Sequence, residues 1–213
     1  MKITRFSFNA FQELTYVIWD DVSLECAIID PGCYYRREQQ VLENYISKNN
    51  LKVKYLLFTH IHLDHYFGAP FVARTYNVPV SASKTDEPLL DLMSRQAEMY
   101  GTPLPEAPIA IGNYLQAGDT LYLGKEPIHI LSVPGHSKGS LAYYLPESEC
   151  VFCGDALFQG SIGRTDLPGG DFEELLNAIR TQLFTLPPET VVYSGHSGET
   201  TIADEIRSNP FLQ

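Results

Sequence analysis

Hydrophobic and polar positions alternate through the first thirty residues in three short runs. Residues 3–8, 14–19 and 24–29 are rich in β-branched and aromatic side chains and are separated by polar breaks, which predicts a meander of three strands. The third run ends at Asp30-Pro31-Gly32, a turn-forming sequence. Apolar residues then recur at helical spacing in residues 41–48, and residues 53–58 form a short apolar run typical of a strand buried on both faces.

The rest of the chain alternates strands and helices. The apolar pattern predicts helices over residues 66–76, 84–100, 172–183 and 201–207, and strands over residues 78–82, 120–123, 128–133, 141–145, 151–153 and 191–193. Residues 102–108 contain three prolines and are expected to be irregular. Each half thus begins with strands and continues as strand–helix alternation. We therefore predict a single domain, residues 1–213, with two sheets sandwiched between outer helical layers.

The amino-acid composition limits the classes of protein to which this chain can belong. Hydrophobic side chains make up 44% of the 213 residues and charged ones 19%, as in a globular chain with a hydrophobic core. The formal net charge of -11 argues against nucleic acid as a partner, because nucleic-acid binding depends on Lys and Arg. No apolar run is long enough to cross a bilayer, and the first residues lack the apolar block of a signal peptide. We expect a soluble, cytoplasmic protein that binds no membrane.

The four cysteines are expected to be reduced thiols rather than a disulfide framework. Cys150 and Cys153 form a CxxC, but the sequence holds no second CxxC that could complete a zinc site. Their apolar surroundings predict buried strand thiols. Cys33 follows the turn at residues 30–32, a position that allows exposure, and no role is assigned to it.

Residues 59–65, Thr-His-Ile-His-Leu-Asp-His, carry the candidate chemistry. Three imidazoles and a carboxylate within six residues are costly to keep together unless they bind something, and zinc, iron and manganese accept these ligands. On extended backbone His60 and His62 point to one side, whereas His65 points elsewhere unless the loop bends. This spacing suits two neighbouring metal ions better than one.

Three later turns offer further ligands. His136, Asp155 and His196 each follow a glycine just after a predicted strand, where a sharp turn lets the side chain face a shared cleft. The candidate ligands share this placement at strand ends and are His60, His62, Asp64, His65, His136, Asp155 and His196. The two carboxylates of the set, Asp64 and Asp155, are also the candidate catalytic residues. The sixth histidine, His129, alternates with isoleucines inside a predicted strand and is expected at the surface.

The order of these motifs resembles the metallo-β-lactamase superfamily over nearly the whole chain. The resemblance starts at Asp30-Pro31-Gly32, which matches the family's first site-facing turn, and runs to the last helix. Residues 158–166, Glu199-Thr-Thr and Asn209-Pro-Phe are similar to the glyoxalase II-like group and its persulfide dioxygenase cousins. The implied fold is an αββα sandwich of two mixed sheets flanked by helices, between the α/β and α+β classes. Metallo-β-lactamases proper usually have Cys where this chain has Asp155, so antibiotic hydrolysis is not expected.

The resemblance also implies a role for each ligand. Two ligand sets bridged by Asp155 are implied: His60, His62 and His136 for the first metal, and Asp64, His65 and His196 for the second. The cofactors would be two divalent transition metals, zinc in the first place, with iron and manganese as alternatives. Two such ions roughly 3.5–4 Å apart would share a water and lower its pKa, and the metal-bound hydroxide would attack an acyl carbon. The implied substrate is a small-molecule thioester, such as a 2-hydroxyacyl-thiol.

Arg164 is the candidate substrate-binding residue. It matches a basic substrate contact of glyoxalase II enzymes, and its forked donors suit a carboxylate. A salt bridge to Asp166 or Asp171 is the alternative. Two-domain glyoxalase II enzymes continue into a helical domain beyond the point where this sequence ends. They also have an aromatic residue in place of Ser197-Gly198, so glutathione as the thiol stays open.

Other functions also stay open. A mononuclear iron persulfide dioxygenase on the same scaffold would use only His60, His136 and Asp155. A non-enzymatic metal-binding protein is disfavoured, because structural zinc sites are closed by four ligands that are usually rich in Cys. A nucleic-acid hydrolase is disfavoured by the acidity of the chain. Residues 93–108 are expected either to cover the cleft or to form a packed helix with an ordinary loop.

Overall fold

A computed structural model describes all 213 residues, which group into two compact units. Unit 1 comprises Met1–Tyr114 with Leu123–Lys125, and unit 2 comprises Leu115–Tyr122 with Glu126–Gln213. A six-stranded sheet forms the centre of each unit. The prediction of a single domain over residues 1–213 stays a prediction. None of the helices combines the length and the apolar character that crossing a membrane requires.

Unit 1 contains six strands and four helices. The strands are β1 Lys2–Phe8, β2 Glu13–Trp19, β3 Glu25–Ile29, β4 Lys52–Leu57, β5 Val80–Ala82 and β6 Ile111–Tyr114, and the helices are α1 Arg36–Lys48, α2 Leu63–Tyr66, α3 Ala69–Tyr76 and α4 Pro88–Met99. The strand order is β1-β2-β3-β4-β5-β6. The first three strands are the predicted antiparallel meander, and β3 to β6 pair in parallel. The sheet is therefore mixed, as the family resemblance implies.

Unit 2 contains eight strands, two α-helices and a π-helical turn, Ile179–Leu183, that follows the first of these helices. The strands are β7 Thr120–Leu123, β8 Glu126–Ser132, β9 Leu141–Leu145, β10 Cys150–Gly154, β11 Leu157–Phe158, β12 Ser161–Ile162, β13 Val191–Ser194 and β14 Thr200–Thr201, and the helices are α5 Phe172–Ala178 and α6 Ile202–Ser208. The main sheet has the order β14-β13-β10-β9-β8-β7, and β11 and β12 form a separate hairpin. In this sheet β10 and β13 pair in parallel, and α5 lies between them in the chain.

Local sequence explains where several helices begin and end. The Asp171 side chain accepts a hydrogen bond from the backbone of Glu174 at 2.9 Å and so caps α5. Thr201 caps α6 in the same way, through the backbone of Asp204 at 3.1 Å. Asn77 ends α3 in the left-handed conformation, with φ 53°. Each cap satisfies backbone groups that a helix end leaves unpaired.

The structure differs from the sequence prediction at several elements. The predicted helix over residues 66–76 begins only at Ala69, as α3, because the chain turns at Phe67 and Gly68, and the short helix α2 precedes that turn. The predicted helix over residues 84–100 begins as a 3-10 turn at Lys84–Asp86, and α4 starts at Pro88. The first half of β4 is not buried on both faces, since Lys52 is exposed. The short strands β6, β11, β12 and β14 were not predicted.

All four cysteines are buried and free of disulfide bonds. The prediction of buried strand thiols for Cys150 and Cys153 is confirmed, and burial raises the pKa of each to about 12. The expectation that Cys33 could be exposed is wrong. Its side chain lies against Gly68, where an added Cβ would come within 2.3 Å of the sulfur.

Candidate metal centre

Three histidines cluster at the carboxyl end of β4 in unit 1. The ring centroids of His60 and His62 are 4.7 Å apart, and those of His60 and His65 are 4.1 Å apart. The three side chains are buried. His62 has extended backbone, and the chain then bends into α2, which carries Asp64 and His65. That bend brings His65 back beside His60, which is the alternative that the spacing left open.

Asp30, which the resemblance places in a turn facing the site, orients two of these rings. Its carboxylate accepts hydrogen bonds from the backbone and hydroxyl of Thr59 at 2.7 and 2.5 Å, and from Nδ1 of His65 at 3.1 Å. Because the Thr59 hydroxyl donates to Asp30, it accepts from Nδ1 of His60 at 3.0 Å. With Nδ1 protonated, Nε2 of each ring keeps the lone pair that a metal ion needs.

Asp30 itself is close enough to the histidines to be considered a ligand. The ligand atoms of Asp30, His60 and His65 all lie within 4.8 Å of one another. The three hydrogen bonds that Asp30 accepts occupy its oxygens, however, so we assign it to orienting the rings. Its position follows from the sheet, because β3 and β4 are parallel neighbours whose carboxyl ends meet. Nε2 of His65 faces Asp64 Oδ2 at 3.7 Å on the other side of the ring.

In unit 2, one carboxylate oxygen faces two imidazoles. Asp155 Oδ2 lies 3.5 Å from Nε2 of His136 and 3.6 Å from Nε2 of His196. Both distances exceed the 2.7–3.2 Å typical of an N–H···O hydrogen bond. The parallel pairing of β10 with β13 places Asp155 and His196 beyond the carboxyl ends of neighbouring strands. Unit 2 therefore brings its three predicted ligands together around Asp155.

The turn after the β11–β12 hairpin orients His136. The backbone carbonyl of Arg164 accepts a hydrogen bond from Nδ1 of His136 at 2.8 Å, so this ring too presents Nε2. Gly163 makes the approach possible: an added Cβ there would lie 1.7 Å from the Asp155 carbonyl oxygen and 3.2 Å from His136 Nδ1. Neither the Arg164 carbonyl nor Gly163 was assigned a role from the sequence.

A buried polar network in unit 2 anchors the hairpin. The Glu205 carboxylate accepts from the backbone of Gly160 at 3.0 Å, from the Thr200 hydroxyl at 2.6 Å and from the Asn209 amide at 2.7 Å. Asn209 also donates to the Ser161 carbonyl at 3.0 Å. Glu205 and Asn209 are both buried. Residues of α6 and beyond thus fix the hairpin that leads to the Arg164 carbonyl.

The side chain of Arg164 forms a bidentate ion pair with Asp166. Nε and one terminal nitrogen lie 2.7 and 2.8 Å from the two carboxylate oxygens. Both side chains are largely exposed, at 55% and 69%. The hydrogen bonds from Arg164 lower the pKa of Asp166 to about 2. Of the two interpretations of Arg164, the structure contains the salt bridge, and substrate binding stays a prediction.

The segment over residues 93–108 packs on unit 1. Met93 of α4 is fully buried. The irregular stretch after α4 is held by the Tyr34 hydroxyl, which donates to the Pro103 carbonyl at 2.7 Å, and by the Tyr66 hydroxyl, which donates to the Ile109 carbonyl at 2.5 Å. This is the packed helix with an anchored loop that the sequence allowed.

The donor chemistry of both clusters fits divalent transition metals. Each cluster combines imidazole Nε2 atoms with carboxylates, which are ligands of zinc, iron and manganese. Such groups are costly to bury together unless a cation or hydrogen bonds compensate them. The orientation of the rings through Nδ1 is the arrangement that metal-binding histidines have.

Comparison with known proteins identifies the family. The model of the metallo-beta-lactamase superfamily matches residues 9–196 of this chain. The chain therefore belongs to this superfamily of metallo-hydrolases, and the resemblance inferred from the motifs is confirmed. A solved structure, the BLEG-1 B3 metallo-beta-lactamase, superposes with a TM-score of 0.90 at 32% identity and covers 100% of both chains. The predicted fold class, two mixed sheets with flanking helices, is confirmed.

One sequence relative and two further solved structures are also similar to this chain. Hydroxyacylglutathione hydrolase GloC of Haemophilus influenzae is 38% identical over 213 residues, which is 100% of this chain and 98% of the relative. The di-iron-bound form of TTHA1623 has a TM-score of 0.86 at 33% identity and covers 98% of this chain and 100% of that one. ETHE1 from Myxococcus xanthus has a TM-score of 0.79 at 27% identity, with 99% and 84% coverage.

Proposed function

We propose that this protein is a metal-dependent hydrolase of small thioesters, of the glyoxalase II-like kind. The observation that carries the proposal is the 38% identity to hydroxyacylglutathione hydrolase GloC over essentially the full length of both chains. That relative is matched over 98% of its length, so the activity in its name belongs to a chain of similar size. Glutathione therefore stays among the candidate thiols.

We further propose that the two clusters supply one dinuclear centre. The unit 1 cluster offers His60, His62, Asp64 and His65, and the unit 2 cluster offers His136, Asp155 and His196. The family model covers both clusters, and a relative of 33% identity is described in a di-iron-bound form. Asp155 is the proposed bridging ligand, because the same oxygen faces both His136 and His196. When bound, two divalent ions would activate a water and polarise the thioester carbonyl.

The chain's own residues would prepare this site in two ways. Asp30, Thr59 and the Arg164 carbonyl hold protons on Nδ1 of the rings they contact, so that Nε2 faces the proposed metal positions. The Arg164 guanidinium would bind the carboxylate of an anionic substrate, in exchange for or beside Asp166. Asp64 and Asp155 are the proposed catalytic carboxylates and act as ligands.

A persulfide dioxygenase is the second candidate, because residues 158–166 also resemble the dioxygenase cousins of the glyoxalase II-like group. That chemistry would need one iron on His60, His136 and Asp155. Similarity to BLEG-1 raises β-lactam hydrolysis as a further activity to measure. The presence of Asp64, His65 and His196, which complete a second ligand set, supports the hydrolase.

The test is metal analysis of protein purified without added metal, paired with a substrate panel. Thiol release is measured with 2-hydroxyacyl thioesters, oxygen uptake with glutathione persulfide, and ring opening with a β-lactam. We expect about two metal equivalents per chain and thioester turnover well above the other two. One tightly bound iron with oxygen uptake and no thioester turnover would refute the proposal in favour of the dioxygenase.

The role of Asp155 can be tested separately. Asp155→Ala should lower occupancy of both metal positions, because the proposed bridge would be lost, whereas His196→Ala should mainly empty the second. Metal content of each variant is measured after equilibration in a metal buffer. Loss of the same single equivalent in both variants would contradict the bridging assignment.

A further inference from the structure

The loop between β1 and β2 touches both turns that carry site residues in unit 1. The Asn9 side-chain amide donates to the Gly32 carbonyl at 2.9 Å and to the Asp64 carbonyl at 3.0 Å. Its other end is fixed too, since Asn9 Oδ1 accepts from the backbone of Phe11 at 2.9 Å. One side chain therefore joins the turn after β3 to the helix that carries Asp64.

Both of the segments that Asn9 joins carry residues related to the proposed second metal position. Asp64 is itself a proposed ligand. Gly32 lies two residues after Asp30, which accepts from Nδ1 of His65 at 3.1 Å and so orients the neighbouring ligand. A displacement of either segment would move Asp64 relative to His65. Asp64 and His65 are consecutive residues of α2, so the directions of their side chains depend on the position of this helix.

The loop around Asn9 is itself held firmly. The Asn9 backbone donates to Glu38 Oε1 at 3.0 Å, and Glu38 Oε2 accepts from the backbone of Tyr34 at 2.9 Å. Asn9 has φ 51°, in the left-handed region that asparagine tolerates better than most residues. Space is tight as well: a Cβ added at Gly32 would lie 2.7 Å from Asn9 Nδ2 and 2.1 Å from a Glu13 oxygen.

We propose that Asn9 is a positioning residue for the second metal, acting through the main chain of Asp64 and Gly32. The inference rests on the proposed dinuclear function. Two carbonyl oxygens face the same amide nitrogen, so the position requires a donor. Aspartate has nearly the same shape but presents an oxygen to both carbonyls, whereas glycine removes the side chain and keeps φ 51° without strain.

The experiment compares Asn9→Asp and Asn9→Gly with the unchanged chain. Asn49→Asp is the matched control, because the Asn49 amide also donates to a backbone carbonyl, that of Tyr45 at 2.8 Å, at the end of α1. Zinc binding to metal-free protein is measured by chelator competition and resolved into first and second equivalents. Thermal unfolding of the metal-free proteins and thioester kcat and KM are recorded in parallel.

Both Asn9 variants are expected to bind the second zinc equivalent about 10–100-fold more weakly, which is the loss typical when an outer-shell partner of a metal ligand is removed. Their affinity for the first zinc equivalent should stay nearly unchanged. Thioester kcat of both Asn9 variants should fall and be recovered at saturating zinc. Asn49→Asp should match the unchanged chain in zinc binding and in kcat. Unaltered binding of both equivalents would overturn the inference, as would equal weakening of both with a lower unfolding temperature. If the unchanged chain binds only one equivalent, the dinuclear function fails and this inference with it. If only the Asn9 result fails, the proposed function stands.

Discussion

Replacing Gly163 by alanine tests whether the backbone after the hairpin positions His136. The added Cβ would lie 1.7 Å from the Asp155 carbonyl oxygen, whereas real Cβ contacts stay above about 3.0 Å. The backbone must therefore shift by about 1.3 Å, the difference between those two distances. Both partners are main chain or ring atoms, so no flexible side chain can yield instead. The turn that carries the Arg164 carbonyl should move.

The expected cost follows from the hydrogen bond that this movement breaks. A shift of that size stretches the 2.8 Å contact between the Arg164 carbonyl and His136 Nδ1 beyond hydrogen-bond range. Loss of an outer-shell partner of a metal-binding histidine typically weakens metal affinity 10–100-fold. That range corresponds to about 1.4–2.8 kcal/mol of binding free energy. We expect the loss of affinity at the metal position for which His136 is a proposed ligand.

The assay is zinc competition with a chelator on metal-free protein, with circular dichroism and urea unfolding as checks of the fold. Gly198→Ala is the control, because its Cβ would meet only the end of the Gln159 side chain at 2.9 Å, and that side chain can rotate away. If Gly163→Ala binds zinc as tightly as Gly198→Ala does, the reasoning is refuted. A loss of stability with no change in zinc affinity would also refute it.

Three further predictions follow from the described contacts. Glu205→Ala leaves three donors without their acceptor, so the free energy of unfolding measured in urea should fall by at least about 2 kcal/mol, and by less in Glu205→Gln. The same free energy of unfolding in the two variants would contradict this prediction. Asp166→Asn should lower KM for anionic thioesters and Arg164→Ala should raise it, with neutral thioesters unaffected in both. The hydrogen bonds from Arg164 lower the pKa of Asp166 from its usual 3.8 to about 2, so the ion pair is intact above about pH 4 and is lost as pH falls through about 2. A KM effect of Asp166→Asn that varies between about pH 6 and 8 would count against this prediction. The four buried thiols should resist alkylation at pH 8 until the chain is unfolded, and rapid labelling of any one in native protein would show otherwise.

The candidate ligands could be proposed from the sequence because their chemistry is local. His60, His62 and His65 lie in one short motif, and His136 and His196 follow glycines just after strands. Three imidazoles and a carboxylate within six residues are costly to keep together unless they bind something, so residue type and spacing together carry much of the prediction. Most strands and helices were predictable for a similar reason, since their apolar periodicity reflects burial of one face.

The residues that orient the ligands could not be predicted in this way. Thr59 and Asp30 are 29 residues apart in the chain, and Asn9 is 55 residues from Asp64. These contacts depend on which strand ends meet in the folded sheet, and the residue types involved are common in ordinary turns. Gly163 is a further example, because its need for a small residue comes from the backbone of Asp155 and not from its own φ.

The geometry around the imidazoles favours a cation over a proton as the group they bind. In a catalytic dyad, a carboxylate hydrogen-bonds one ring nitrogen and the other nitrogen faces a nucleophile within about 3 Å. Here Nδ1 of His65 and of His136 donates to an oxygen, while Nε2 faces a second carboxylate at 3.7 and 3.5 Å. Both of these Nε2–oxygen distances exceed the 2.7–3.2 Å of an N–H···O hydrogen bond, whereas a metal ion between the two atoms would contact both. The same arrangement, reached in unit 1 through the Asp30 carboxylate and in unit 2 through the Arg164 carbonyl, supports metal binding in both clusters.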